Sequence, residues 1–87
     1  SKFALMAEKM VRECRARIAE HEFYVGEFYF KQKKYEAALS RFETITREYP
    51  NLGLDYKVSV YLQETREQMR LAEAEKAGEK KDKEKKK

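Results

Sequence analysis

The sequence has 87 residues, enough for one domain; 41% are charged and 41% hydrophobic, with three Gly and one Pro, which favours helices over a sheet. A single Cys excludes an intramolecular disulfide, a single His excludes paired catalytic imidazoles, and no apolar run approaches the roughly 20 residues that span a bilayer. The net charge of +4 divides into +3 on residues 78–87 and +1 on the rest, so the body is nearly neutral.

The first predicted helix covers residues 3–32, which contain no Pro and a single Gly. Its apolar stripe has helical spacing and consists of Met10, Cys14, Ile18, Val25 and Tyr29, with Met6, Val11 and Phe28 beside it. The second helix is too short to cover the first half of this stripe. We expect a third helix, a preceding repeat of a complete protein, or a homodimer contact to cover the remainder.

Two further helices and a tail follow along the chain. Residues 32–34 predict a tight connection into a second helix over 35–49, which Pro50 ends because proline cannot continue a helix. A third helix is predicted over about 54–77. Residues 78–87 contain no apolar side chain that could be buried, so this Lys-rich tail is predicted to be disordered.

Small and aromatic residues in the first two helices follow the tetratricopeptide pattern, with Gly26-x2-Tyr29, Ala38-x3-Phe42 and Pro50 at the matching positions. Gly26 and Ala38 let two antiparallel helices approach closely, and Tyr29 and Phe42 fill the volume beside them. The residues predicted to pack the repeat are Val25, Gly26, Tyr29, Tyr35, Ala38, Phe42, Ile45 and Pro50.

The predicted fold is therefore all-α: a single tetratricopeptide-like domain over residues 1–77, with its repeat core at about 19–52 and a terminal helix after it. Two residues depart from the repeat pattern. Glu22 stands where a Trp is usual, and Lys33 stands where the turn between the helices usually has a small residue.

A narrower resemblance covers roughly residues 8–70. Residues 14–29 resemble the long penultimate helix of the BamD family, which are lipoproteins of the outer-membrane β-barrel assembly machinery. Residues 35–50 resemble the last repeat of that family, and Glu67-Gln68-Met69 lies where its terminal helix would be. The resemblance implies that the chain is the C-terminal part of such a lipoprotein.

The same resemblance implies a function. The chain would be a non-catalytic protein–protein interaction module at the periplasmic face of the outer membrane, binding the barrel-assembly subunit and companion lipoproteins. Its contact with the membrane would be an anchor upstream of this sequence, because charged Arg12 and Glu13 precede Cys14 where a lipidation signal needs small apolar residues.

Aromatic residues near the end of the first helix cover nearly its whole circumference, and Phe23 and Phe30 fall toward the concave side that such repeats present to ligands. Two interpretations stay open. Either the third helix or a neighbouring repeat covers these rings, or they line a groove for a peptide or a partner helix. The candidate groove residues are Glu20, Phe23, Glu27, Phe30, Lys31 and Lys34.

Arg41 is a second candidate for partner binding. It stands beside Phe42, near the border of the buried face, and an Arg recurs at this position in the family that the stretch resembles. Its planar guanidinium suits a bidentate contact with a carboxylate of a partner. A local pair with Glu48 or Asp55 is the alternative.

No enzyme, metal site or cofactor is predicted. Cys14 is expected to be a core or interface thiol, and His21 has no second metal ligand at helical spacing. The alternative function is a general tetratricopeptide scaffold in the cell envelope or cytosol, and a basic nucleic-acid-binding protein fits the sequence less well. We expect no nucleic-acid partner, because acids interrupt the lysines of the tail and it carries no aromatic or Arg side chain to contact a base.

Overall fold

The computed structural model describes residues 1–85, with side chains through residue 78. Over these residues the regular structure consists of three helices: α1 (Lys2–Lys31), α2 (Tyr35–Glu48) and α3 (Asp55–Lys85). This confirms the predicted all-α fold and its long first helix. Residues 86–87, the end of the predicted tail, lie outside the described residues.

The connection between α1 and α2 takes three residues and reverses the chain. Lys33 has a φ of 63°, in the left-handed region, and the backbone N–H of Lys34 donates to the carbonyl oxygen of Tyr29 at 2.9 Å. A left-handed residue with a Cβ costs about 1–2 kcal/mol, which gives a physical reason for the small residue that the repeat usually has here.

The connection between α2 and α3 is stabilised by an acidic side chain. Asn51 and Gly53 have φ values of 63° and 89°, so the chain makes a sharp turn after Pro50. The Asp55 carboxylate accepts a hydrogen bond from the backbone N–H of Asn51 at 3.0 Å. Asp55 also opens α3, where a negative charge interacts favourably with the helix dipole.

Helices α1 and α2 pack antiparallel. Residue 15 contacts residue 48, residue 22 contacts residue 41, and residue 29 contacts residue 34, so the contacts proceed in opposite directions along the two helices. Helix α2 packs against both α1 and α3. With 30 residues, α1 is about 45 Å long, whereas the 14 residues of α2 reach about 21 Å. The N-terminal half of α1 therefore projects past the hairpin.

The core forms around the ring of Phe42, which is fully buried. The ring stacks on Tyr61 of α3 at a centroid distance of 5.0 Å and lies 5.7 Å from the ring of Phe23 of α1. A Cβ on Gly26 would lie 2.7 Å from Cε1 of Phe42, so the glycine makes room for the ring. The other buried side chains are Ala19, Ala38, Ile45, Val58, Leu62 and Thr65.

The buried face of α1 differs from the apolar stripe that the sequence predicts. Ala19 and Gly26 are buried, whereas Met10, Cys14 and Ile18 of the predicted stripe are exposed. Cys14, expected to be a core or interface thiol, is therefore not in the core of the chain, and the interface alternative stays a prediction. Helix α2 packs on the face with the smallest residues because these allow the two backbones to come close, and α2 is too short to reach the larger side chains upstream.

Helix α3 continues to Lys85, whereas the sequence predicts an end at about residue 77 and a disordered tail over 78–87. Lys and Glu are good helix formers, and no Pro interrupts this stretch. A helix satisfies most of its backbone hydrogen bonds internally, so it can continue without an apolar face. The predicted disorder of residues 78–87 stays a prediction.

Candidate functional site

An open groove of about 380 Å³ lies between α1 and α3. Phe23 and Glu27 line it from α1, and the lining residues of α3 are Tyr56, Lys57, Val60 and Tyr61. The side chain of Tyr56 is 81% exposed and that of Val60 45% exposed, so apolar and aromatic surface faces the solvent here. We call this the α1–α3 groove.

Tyr61 forms the floor of the α1–α3 groove and links all three helices. Its ring meets those of Phe23 and Phe30 edge to face at 5.3 and 5.5 Å, in addition to stacking on Phe42. Its hydroxyl donates to Oε2 of Glu27 at 2.8 Å. This hydrogen bond raises the pKa of Tyr61, and so do burial of the hydroxyl and the negative charge of Glu27. The phenol therefore stays protonated and holds the carboxylate in place at neutral pH.

Arg41 forms an ion pair across the hairpin. Its Nη1 donates to both carboxylate oxygens of Glu22 on α1, at 3.1 and 3.0 Å. The hydrogen bond and the charge of Glu22 raise the pKa of Arg41. The alternative pairings that the sequence suggested are wrong, because the Asp55 carboxylate accepts from Asn51 and the ion-pair partner of Glu48 within 4 Å is Arg47. Glu22 occupies the usual Trp position, so a charged pair takes the place of the ring between the helices.

The arginine is still accessible. The Arg41 side chain is 43% exposed, whereas Glu22 is 18% exposed. The guanidinium can accordingly keep its intramolecular pair and offer its remaining N–H groups to a partner.

A set of exposed apolar side chains is spread along α1, outside its buried residues. We call it the α1 apolar face; it consists of Phe3, Met6, Met10, Ile18 and Phe28, which are 45–85% exposed. Val11 lies beside it in a shallow pocket of about 360 Å³ that Leu52 also lines. Several large apolar side chains that stay exposed along one helix form a candidate interaction surface.

Comparison with known protein families assigns the chain to one of them. Residues 1–81 match the YfiO family, which is described as an outer membrane lipoprotein family. The chain belongs to this family. The match extends from the projecting half of α1 through most of α3 and confirms the resemblance to BamD-like lipoproteins. No curated protein and no solved structure matches the chain significantly.

Family membership associates the chain with the cell envelope. Among the helices that the structure describes, none is long and apolar enough to cross a membrane. The described residues also contain no group of three His, Cys, Asp or Glu side chains placed to hold a metal ion.

The structure brings some of the predicted groove residues together and separates others. Phe23 and Glu27 line the α1–α3 groove, while Phe30 packs between Tyr35 and Tyr61 at centroid distances of 5.6 and 5.5 Å. Glu20 and Lys31 are exposed on α1, and Lys34 lines a separate shallow pocket at the α1–α2 connection. Phe30 is thus half-buried and packs against the core, whereas Phe23 packs against the core and also lines the groove.

Most of the predicted repeat-packing residues are buried or half-buried. Gly26, Ala38, Phe42 and Ile45 are buried, Val25, Tyr29 and Tyr35 are half-buried, and Pro50 is exposed in the connection after α2.

The residues that line the groove from α3 are not among those predicted from the sequence; they are Tyr56, Lys57, Val60 and Tyr61. The length of the repeat could have indicated these α3 residues from the sequence. Tyr61 comes 34 residues after Glu27, which is one repeat length, and the two side chains are hydrogen-bonded. Residues one repeat apart lie side by side on the equivalent helices of successive repeats, here α1 and α3. The groove residues of α1 therefore predict which residues of α3 lie beside them.

Proposed function

We propose that the chain is a non-catalytic protein–protein interaction module of the outer-membrane β-barrel assembly machinery. In this role it acts at the periplasmic face of the outer membrane and binds the barrel-assembly subunit and companion lipoproteins. Membership of the outer membrane lipoprotein family supports this proposal, together with the resemblance of residues 14–50 to BamD-like proteins.

The observation that carries the proposal is the α1 apolar face. Met10 and Ile18 are 63% and 45% exposed on a helix that α2 and α3 leave uncovered on this side. Covering one such side chain completely stabilises an association by about 1.5–3 kcal/mol. A helix face of this kind is suited to hold another protein surface, and no reaction is needed to explain it.

Arg41 supplies a second contact in this proposal. Its guanidinium stands beside the buried Phe42 and is paired with Glu22, so its orientation is already fixed before a partner arrives. A carboxylate of the partner would then find a pre-organised cation, which reduces the entropy lost on binding.

Binding of the chain to the purified periplasmic region of the barrel subunit tests the α1 apolar face. We expect Met10→Glu and Ile18→Glu each to weaken binding by about tenfold or more, because a charge would have to be desolvated in the interface. Gln63→Glu, an exposed change on α3, is the matched control and should bind like the unmodified chain. Unchanged binding of both face variants would contradict the proposal, and retention of an unrelated protein instead would favour a general scaffold.

The same assay tests Arg41. We expect Arg41→Glu to weaken binding while the helical content, measured by circular dichroism, stays the same. Glu22→Gln is the matched variant, because it removes the intramolecular ion pair and keeps the charge of Arg41. Equal losses from both variants would show that Arg41 acts only through the hairpin.

A further inference from the structure

We propose that the α1–α3 groove binds a partner segment that places an apolar side chain against Phe23 and Val60 and a basic side chain against Glu27. The inference rests on the proposed function, since it names the chemistry of one partner that the module would recognise. The ligand is a peptide segment with an aromatic or aliphatic residue next to Arg or Lys.

The apolar half of this chemistry follows from the walls of the groove. Tyr56 and Val60 stand one turn apart on α3, so their side chains form one ridge, and Phe23 faces this ridge from α1. Phe23 is held by its contacts with Phe42 and Tyr61 and cannot turn away from the groove. A rigid aromatic wall opposite an exposed aliphatic side chain is a suitable seat for one apolar side chain.

The basic side chain of the ligand is inferred from the surroundings of the Glu27 carboxylate. This carboxylate is half-buried among aromatic rings, and its Oε2 accepts a hydrogen bond from Tyr61. Among the side chains that the structure describes, no Lys, Arg or His nitrogen lies within 4 Å of it. Glu22, one and a half turns earlier on α1, has Arg41 as its ion-pair partner. Glu27 is therefore a partly desolvated, fixed negative charge that a cation would stabilise.

Two lysines near the groove decide the orientation of the ligand. Lys57 lines the groove on α3, and Lys31 follows Glu27 by one turn on α1 and is exposed. Both repel a basic side chain, so the favourable place for the basic group is against Glu27 between them. Because Lys57 repels a basic side chain bound at Glu27, removing this lysine should tighten binding.

The test is an NMR titration of the ¹⁵N-labelled 87-residue chain with capped dipeptides. The probe is acetyl-Phe-Arg-amide; its matched controls are acetyl-Phe-citrulline-amide, which is neutral with nearly the same shape, and acetyl-Ala-Arg-amide. We expect the arginine probe to shift the amide signals of Phe23, Glu27 and Val60 and to bind at least about threefold more tightly than either control, as a partly exposed ion pair allows. Equal affinity for the arginine and citrulline probes, or shifts confined to other surfaces, would overturn the proposal.

Variants of the chain sharpen the result. Glu27→Gln keeps an acceptor for the Tyr61 hydroxyl and removes the charge, so it should bind the arginine and citrulline probes equally. Lys57→Ala should bind the arginine probe about twofold more tightly, while Glu36→Gln, an exposed change on α2, should have little effect. A preference for arginine that survives in Glu27→Gln would refute the assignment of the basic site.

The outcomes separate this inference from the proposed function. If the chain binds the barrel subunit but has equal affinity for the arginine and citrulline probes, only the groove inference is refuted. A chain that prefers the arginine probe but does not bind the barrel subunit refutes the proposed function alone.

Discussion

Gly26 and Phe42 show at the residue scale how α1 and α2 come together. The glycine has no side chain, and the fully buried Phe42 ring occupies the place where a Cβ would stand. The ring cannot withdraw easily because Tyr61 stacks on its face and Phe23 packs against it. The repeat pattern has a small residue at position 26. The close approach of the Phe42 ring to Gly26 is the physical reason.

Gly26→Ala should therefore destabilise the fold, although alanine is the better helix former. The added methyl group would overpack the core at a cost of about 1–3 kcal/mol, which exceeds the gain in helix propensity of up to about 1 kcal/mol. Urea denaturation followed by circular dichroism measures the difference in the free energy of unfolding. Gly78→Ala is the control, because nothing lies within 4 Å of a Cβ at that position of α3. A Gly26→Ala variant as stable as Gly78→Ala would contradict the close contact with Phe42.

At the scale of the elements, α1 and α2 are joined by an apolar contact and by polar bridges beside it. Arg41 pairs with Glu22, and Arg15 donates to the backbone carbonyl of Glu48 while its guanidinium lies 5.2 Å from the Tyr49 ring centroid. These contacts fix the register between the two helices, because each long side chain reaches only one level of the neighbouring helix.

A double-mutant cycle on the ion pair measures its share of this register. We expect Arg41→Gln and Glu22→Gln each to lower the free energy of unfolding by about 0.5–1.5 kcal/mol, since the arginine is partly solvated and the carboxylate is mostly covered. The double variant should lose less than the sum of the two single losses. Arg47→Gln, which removes a longer contact of 3.9 Å between exposed groups, is the control and should change stability little. Strictly additive losses would show that the pair makes no net contribution.

At the scale of the whole molecule, the helices leave a long surface without a partner. Helix α1 is about twice as long as α2, so the α1 apolar face and the projecting N-terminal half have no covering element among the described residues. Such a surface lowers its free energy by binding another protein or a second copy of the chain.

The isolated chain should consequently self-associate through this face. We expect sedimentation equilibrium to show a concentration-dependent approach to a homodimer, and Met10→Glu to shift the chain toward the monomer. The control variant Gln63→Glu should sediment like the unmodified chain, because residue 63 is exposed on α3. A monomer at all concentrations, with Met10 and Ile18 still exposed, would contradict this prediction. Addition of the barrel subunit should displace the second copy if both bind the same face.

The sequence predicted the local features of the fold, such as helix bounds, better than the contacts between helices. The bounds of α2 and the start of α3 agree with the sequence within one residue, because Pro50 and the helical spacing act locally. The groove was only half predicted: Phe23 and Glu27 stand in it, but Tyr61 and its partners on α3 were missed. Their proximity depends on how successive helices stack, which the pattern along a single helix does not contain.

The amino-acid sequence by itself determined the helical class, the repeat register around Gly26 and Ala38, and the family resemblance, because helix periodicity and stop signals are local properties. The tertiary structure decided which face of α1 is buried, that Arg41 pairs with Glu22, and that Tyr61 holds Glu27. The two polar pairs join residues 19 and 34 positions apart on different helices. The choice among competing partners is made by packing volume and distance in space, whereas spacing along the chain indicates only which residues stand one repeat apart.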